Sequence, residues 1–115
     1  MNDVPAGRVA WRRGSLRQQY VGRLFLLPDR LRLVGRESTS GIDVALSIPF
    51  AEIESVRPAT HAVEKVLGEP GVILELAGSS EPILLCELGA WRMPRRLAEA
   101  FSSAASPRPR LAAGA

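Results

Sequence analysis

Residues 20–34 read YVGRLFLLPDRLRLV, two short apolar runs joined by Pro-Asp at 28–29. Proline presets one backbone angle and aspartate can hydrogen-bond the backbone two residues on, so this dipeptide is typical of a tight turn. After it, leucine and arginine alternate through 30–33, which is the period of a strand with one dry and one wet face. The stretch therefore predicts a β-hairpin in which Arg30 and Arg32 point outward. Such a hairpin needs further strands or a helix on its dry face.

Further strands are predicted on both sides of this hairpin. Leu16–Leu27 reads as one strand in which Gly22 marks a bulge or a bend. Val9–Arg13 is either a further extended piece or part of the N-terminal tail. Beyond a polar loop at 35–43, apolar residues predict four more strands: Val44–Ile48, Ile53–Arg57, Val72–Ala77 and Pro82–Leu88.

Two details of these downstream strands follow from single residues. Pro49 lacks the backbone N–H that a central strand needs, so the strand before it must end there or lie on a sheet edge. In the last strand Leu84, Cys86 and Leu88 are expected to share the inward face. Residues 59–71 form a long connection, with a helical turn near 62–67.

After Gly89 the apolar period becomes that of an α-helix. Proline at 94 is tolerated only in the first turn, so the helix should begin near Arg92 or Met93. The buried stripe consists of Met93, Leu97, Ala100, Phe101 and Ala104. Consecutive strands followed by one helix indicate a mainly β fold. We expect a bent antiparallel sheet or small barrel of six to seven strands, capped by the C-terminal α-helix.

The length of 115 residues indicates one domain, which we place at 8–105 between a loose N-terminus at 1–7 and a disordered tail at 106–115. No apolar run approaches the ~20 residues of a membrane-spanning helix. The first residues lack the basic head and apolar stretch of an export signal. The single cysteine excludes an internal disulfide framework. We therefore expect a cytoplasmic location, with peripheral association at the inner face of the membrane as an extension.

Charge is segregated along the chain. Residues 1–36 hold eight arginines against two aspartates (+6), residues 37–91 nine acids against two bases (−7), and residues 92–115 five arginines against one glutamate (+4). The ends could meet the middle in the fold and neutralise it, which is the interpretation we favour. Alternatively, the basic ends form a surface for phosphates or an acidic membrane. The excess of arginine over lysine also matches a GC-rich bacterial genome.

Two segments resemble a known family. Residues 22–33 (GRLFLLPDRLRL) and 48–56 (IPFAEIESV), followed by a hairpin and a C-terminal helix, are similar to the pleckstrin-homology superfold, closest to its GRAM-like and bacterial variants. The resemblance spans about residues 14–104 and implies a PH-like fold. In true pleckstrin-homology domains a characteristic tryptophan lies in the middle of the helix, whereas Trp91 precedes the helix here. This departure favours the GRAM-like branch.

The resemblance also suggests an anionic-headgroup site. Some pleckstrin-homology domains bind inositol phosphates through a basic residue, a spacer and a basic-x-Arg pattern, which Arg23, Arg30 and Arg32 reproduce. Arg12, Arg13 and Arg17 add charge nearby. The candidate ligand-binding residues are therefore these six arginines. The alternative is that Arg30 and Arg32 only supply the wet face that their strand requires.

No catalytic constellation is present in the sequence. His61 stands alone, without cysteines or carboxylates at metal-ligand spacing, and one histidine cannot complete a convincing Ser/His/Asp set. Cys86 on a strand reads as a small hydrophobe. Trp11 and Trp91 could be exposed anchors for a partner or membrane, although Trp91 fits better as a cap on the barrel end. We predict no enzyme activity, no catalytic residue, no metal and no cofactor.

These observations predict a non-enzymatic binding module. The leading function is protein–protein interaction or self-association, through a strand edge or the groove beside the C-terminal helix. The alternative is peripheral binding to an anionic membrane through the N-terminal arginines. Charge-driven nucleic-acid binding ranks lowest, because aromatic and basic residues are not interleaved as single-strand binding would require.

Overall fold

The computed structural model describes residues 5–14, 17–59, 66, 71–79 and 81–105. Apart from Val66, the predicted helical turn near 62–67 lies outside these ranges, as do His61 and the tail at 106–115. The described elements are seven strands, one 3₁₀ turn and one helix. They are β1 (Gly7–Arg13), β2 (Gln19–Leu26), β3 (Arg30–Glu37), β4 (Asp43–Pro49), the 3₁₀ turn (Phe50–Glu52), β5 (Ile53–Pro58), β6 (Val72–Leu76), β7 (Ile83–Leu88) and α1 (Met93–Ala105).

All seven strands belong to one antiparallel sheet, in the order β4-β3-β2-β1-β7-β6-β5. The sheet curls into a half-barrel, which confirms the predicted mainly β fold with one C-terminal helix. Residues 9–13 are therefore strand, at the very centre of the sheet. The two edges are β4 and β5, which are consecutive in the chain and joined by the 3₁₀ turn.

The concave face of the sheet holds the main core. Leu24, Leu31 and Leu33 are fully buried there, because the alternation of β2 and β3 directs every second side chain inward. Helix α1 adds Met93 and Leu97, both fully buried, and the rest of its predicted stripe packs against the same cluster. The helix thus closes the half-barrel with the face that the sequence indicated.

The helix begins at Met93, as predicted. The Glu87 carboxylate accepts hydrogen bonds from the backbone N–H groups of Trp91 (2.9 Å) and Arg92 (3.1 Å), immediately before the first turn. A carboxylate here satisfies backbone donors and places negative charge near the positive end of the helix dipole. The side chains of Arg92, Arg95, Arg96 and Glu99 are exposed, again as expected.

Of the bulge or bend predicted at Gly22, the bulge is absent, because the β2–β3 register runs without a break and sets Gly22 directly opposite Gly35. A Cβ built on Gly22 would lie 2.5 Å from the Gly35 Cα and even closer to the Val34 carbonyl oxygen. Gly22 therefore allows the backbone of β3 to approach closely, which is the other common role of glycine within a strand.

The inward orientation predicted for Leu84, Cys86 and Leu88 is wrong. They do share one face of β7, but it is the convex face, where they form a second apolar cluster that includes Ala10 and Val66. The concave face of β7 carries Ile83 and Leu85 instead. Because β7 is covered on both sides, the run Ile83–Cys86 is buried throughout, and alternation could not reveal which face was inward.

Candidate functional site

The convex face of β1, β2 and β3 carries a group of arginines, which we call the arginine face. Leu24 pairs with Leu33 on the concave side, so the neighbouring pairs Arg23–Val34 and Phe25–Arg32 project to the convex side. Arg8 lies directly opposite Arg23 in β1. The arginine face comprises Arg8, Arg12, Arg23, Arg30, Arg32 and Arg36.

Two carboxylates offset part of this charge. Asp29 accepts hydrogen bonds from the Arg30 guanidinium at 3.2 and 3.3 Å, and these bonds hold the pKa of Asp29 below its ordinary value. Asp43 pairs with Arg36 at 3.1 Å across the β3–β4 hairpin. Arg8 and Arg23 form no ion pair within the part of the chain that the structure describes. The arginine face therefore keeps a net positive charge.

The ion pairs bear on the charge segregation seen in the sequence. Arg36–Asp43 joins the basic N-terminal section to the acidic middle, but only across one hairpin. Arg30 pairs with Asp29 inside the N-terminal section, and Arg95 pairs with Glu99 inside α1. These three contacts are therefore local in the chain.

The structure brings together four of the six arginines predicted as a site. Arg12, Arg23, Arg30 and Arg32 share the arginine face, and the outward orientation of Arg30 and Arg32 is confirmed, with the Arg30 side chain 39% exposed. The Arg32 guanidinium lies 6.0 Å from the centre of the Phe25 ring. Arg13 has the opposite parity and borders a small cavity with Trp11 and Tyr20, and Arg17 is exposed between β1 and β2.

Sequence reasoning missed Arg8 and Arg36. Arg8 precedes the first predicted extended segment at 9–13, and Arg36 falls in the predicted loop at 35–43, whereas β3 continues to Glu37. The alternation of Arg30, Arg32, Val34 and Arg36 was a signal that could have extended β3 and recovered Arg36.

The second candidate site is the free edge of β4. The bonds Phe50 N–H to Asp29 C=O and Glu37 N–H to Ile42 C=O, both 2.9 Å, bracket the β3–β4 ladder. In an antiparallel ladder hydrogen-bonded pairs alternate, so Val44, Leu46 and Ile48 direct their backbone groups to β3. The N–H and C=O groups of the intervening residues therefore point away from the sheet: Asp43, Ala45 and Ser47, with the C=O of Pro49.

The two sheet edges differ in how they are protected against pairing. β5 carries a register irregularity between Ile53 and Ser55, the charged Glu54 and Arg57, and a terminal proline. Bulges, charges and proline are the usual protections of an edge strand. The central residues of β4, Val44–Ile48, contain no charge, no glycine and no proline. Of the two edges in the part of the chain that the structure describes, β4 is therefore the one open to strand addition over its central length.

The β3–β4 turn is held in one shape beside this edge. The Glu37 carboxylate accepts hydrogen bonds from the N–H groups of Ser40 (3.0 Å) and Thr39 (3.4 Å). Hydrogen bonding from the Ser40 side chain, and then from these N–H groups, lowers the pKa of Glu37. Gly41 adopts a positive φ of 75°, which glycine tolerates without strain. The turn leads into Ile42, whose 64% exposure is high for a large apolar residue. Val34, opposite Ala45, is 37% exposed.

A groove lies beside the helix, as the sequence suggested. Its volume is about 520 Å³. Its walls come from the β2–β3 turn, the 3₁₀ turn and the end of α1, chiefly Pro28, Phe50, Ile53, Phe101 and Ala104. The lining is mostly apolar and includes Asp29.

Neither tryptophan is a free anchor. Trp11 is 2% exposed, lies in the main core and stacks on Tyr20 with ring centres 5.5 Å apart, so the exposed position considered for it is wrong. Trp91 packs against the core and donates its indole N–H to the Arg8 carbonyl oxygen at 2.9 Å. It covers the start of β1, and the Arg96 guanidinium lies 5.9 Å from its ring centre.

Within the described residues, no group of three or more histidine, cysteine or acidic side chains could hold a metal ion. Cys86 is buried and its thiol donates to the Val66 carbonyl oxygen at 3.5 Å. No helix in the described ranges is long and apolar enough to cross a membrane. Comparison with protein-family models finds no match for this chain, and comparison with curated protein sequences finds none either.

Proposed function

We propose that this chain is a non-enzymatic, PH-like binding module of the GRAM-like type, which acts in the cytoplasm by docking an extended protein segment. The consecutive antiparallel strands, the single C-terminal helix and the two motif segments support the fold relationship. The edge of β4 carries the functional proposal. A docked segment would accept and donate main-chain hydrogen bonds along Asp43–Ser47, which is how strand addition gains affinity.

Strand addition makes a testable prediction at the backbone. Extended peptides of alternating apolar and polar residues, titrated into the labelled protein, should shift the NMR amide signals of Asp43, Ala45 and Ser47 more than others. Ala45→Pro removes the central outward N–H without breaking the β3–β4 ladder, and edge positions tolerate proline. We expect this variant to lose the response, whereas Ala45→Ser should keep it.

The same titration includes the competing site. Shifts centred on Ala51 and Phe101 instead would assign docking to the groove beside α1 and contradict the β4 edge as the site. Circular dichroism of both variants checks that the sheet is retained.

A second candidate function is peripheral binding to anionic membranes, favoured by the convergence of six arginines on the arginine face. Each lysine or arginine close to an acidic membrane surface contributes on the order of 1 kcal/mol to the free energy of binding. Replacing both Arg8 and Arg23 by alanine should therefore lower the affinity for phosphatidylserine-containing vesicles by about thirtyfold, as measured by co-sedimentation.

The matched control is Arg13→Ala with Arg17→Ala, which removes the same charge away from the arginine face. Binding should also fall as salt is added, since exposed charges are screened. If the two double variants lose the same vesicle affinity, binding depends on net charge alone and not on the arginine face. If the parent chain does not bind vesicles, membrane binding is removed as a candidate function. Duplex DNA in place of vesicles tests charge-driven nucleic-acid binding.

A further inference from the structure

We infer that the segment docked on β4 is β4 of a second copy of this chain, running antiparallel about a twofold axis at Ala45. This inference rests on the proposed function, because it names the occupant of the same edge. A twofold axis requires the surface to be complementary to itself. The backbone, the apolar side chains and the charges of β4 each meet that requirement.

The backbone restricts the register. Only residues with outward backbone groups can form the new hydrogen-bonded pairs, so Ala45 must face Asp43, Ala45 or Ser47 of the second copy. Facing Asp43 would pair Ser47 with Gly41, whose N–H already donates to the Glu37 carbonyl oxygen at 2.9 Å. With the axis at Ala45, Asp43 faces Ser47 and every outward N–H of the strand finds a carbonyl oxygen. Pro49 then lies beyond the paired segment. Moving the axis to Leu46 would place Pro49, which has no N–H, in a hydrogen-bonded pair with Asp43.

The apolar side chains fit the same register. On the convex side Val34 lies opposite Ala45, so the axis joins two Val34–Ala45 pairs into one apolar row. On the concave side Val44 faces Leu46 of the second copy, and Ile42 faces Ile48. Val34 and Ile42 are the large apolar residues that the described part of each chain leaves exposed. Ile42 gains Ile48 of the second copy as an apolar neighbour, and Val34 lies at the end of the shared row.

The charges are also complementary. Asp43 already pairs with Arg36 of its own chain at 3.1 Å. Facing it across the axis is Ser47, whose hydroxyl accepts a hydrogen bond from Arg30 at 3.2 Å and so keeps its own proton available for the Asp43 carboxylate. Arg32 lies next to Ser47 in β3. Each Asp43 would therefore sit between Arg36 of one copy and Arg32 of the other.

Cysteine cross-linking of the full chain tests the axis. In a hydrogen-bonded antiparallel pair the Cα atoms are about 5.5 Å apart, within the range that a disulfide spans. Under mild oxidation, Ala45→Cys should give about tenfold more covalent dimer than Ser47→Cys, whose copies would lie roughly 13 Å apart. Cys86 is buried and is common to both variants.

Light scattering of the unmodified chain across a wide range of concentration completes the test. We expect a monomer–dimer equilibrium that Ala45→Lys shifts to monomer, because two lysines would meet at the axis. Dimers that cross-link only when Ala45→Cys is mixed with Ser47→Cys would overturn the axis at Ala45 but keep docking at β4. A chain that stays monomeric while its edge amides respond to extended peptides would overturn self-pairing alone. If the edge amides respond neither to extended peptides nor to a second copy of the chain, docking at β4 is contradicted and the proposed function fails as well.

Discussion

Gly22→Ala should destabilise the protein by about 3 kcal/mol, the upper part of the range for overpacked sites. The added Cβ would overlap the Val34 carbonyl oxygen and lie 2.5 Å from the Gly35 Cα. Both are backbone atoms of the paired strand, so relief requires β2 and β3 to separate rather than one side chain to turn. Urea unfolding followed by circular dichroism measures the loss.

Gly41→Asn is the matched control. Gly41 lies in the β3–β4 turn, where a Cβ meets no atom within 4 Å, and asparagine tolerates its positive φ. We expect a change within about 0.5 kcal/mol. If the two variants unfold at the same urea concentration, the close approach of β2 and β3 at Gly22 is not a constraint on the fold.

Leu97→Ala should cost about 2–5 kcal/mol, because it removes buried methyl groups and leaves a cavity beneath the helix. Leu97 is fully buried between α1 and the concave face of the sheet. The loss would be a large share of the 5–15 kcal/mol that typically separates folded from unfolded domains. Thermal and urea unfolding of the purified variant both report it.

Glu99→Ala, two residues further along α1, controls for changes in the helix itself. Glu99 is exposed and pairs with Arg95 at 3.2 Å, one helical turn away. Such exposed pairs contribute about 0.3–0.5 kcal/mol. A Leu97→Ala variant as stable as Glu99→Ala would mean that the helix does not close the core of the half-barrel.

Much of this fold could be predicted from local patterns. The alternation at 30–33 placed Leu31 and Leu33 inside, and the helical period placed Met93 and Leu97 on the buried stripe. Strand order could not be predicted in the same way, since the pairing of β1 with β7 joins residues far apart in the chain. The error at Leu84 and Cys86 has the same origin, because a strand covered on both faces has no polar side to mark its orientation.

The candidate sites divide similarly. Arg30 and Arg32 were recognisable as outward residues from their own strand. Arg8 joins them only through its register with Arg23, which is a tertiary relationship. Pro49 suggested an edge strand, but the outward direction of the Ala45 N–H depends on the ladder with β3. The difference in protection between β4 and β5 appears only when both are known to be edges.

The sheet order also determines when the domain can be completed during synthesis. The centre of the sheet is built from the two ends of the chain: β1 is finished at Arg13, whereas β7 begins only at Ile83. Because synthesis adds about 5–20 residues per second, one side of β1 stays unpaired for several seconds on the ribosome. Meanwhile β2, β3 and β4 can pair with β1 in sequence. The nascent sheet then has two open edges, β4 and β1, until β7 pairs with β1.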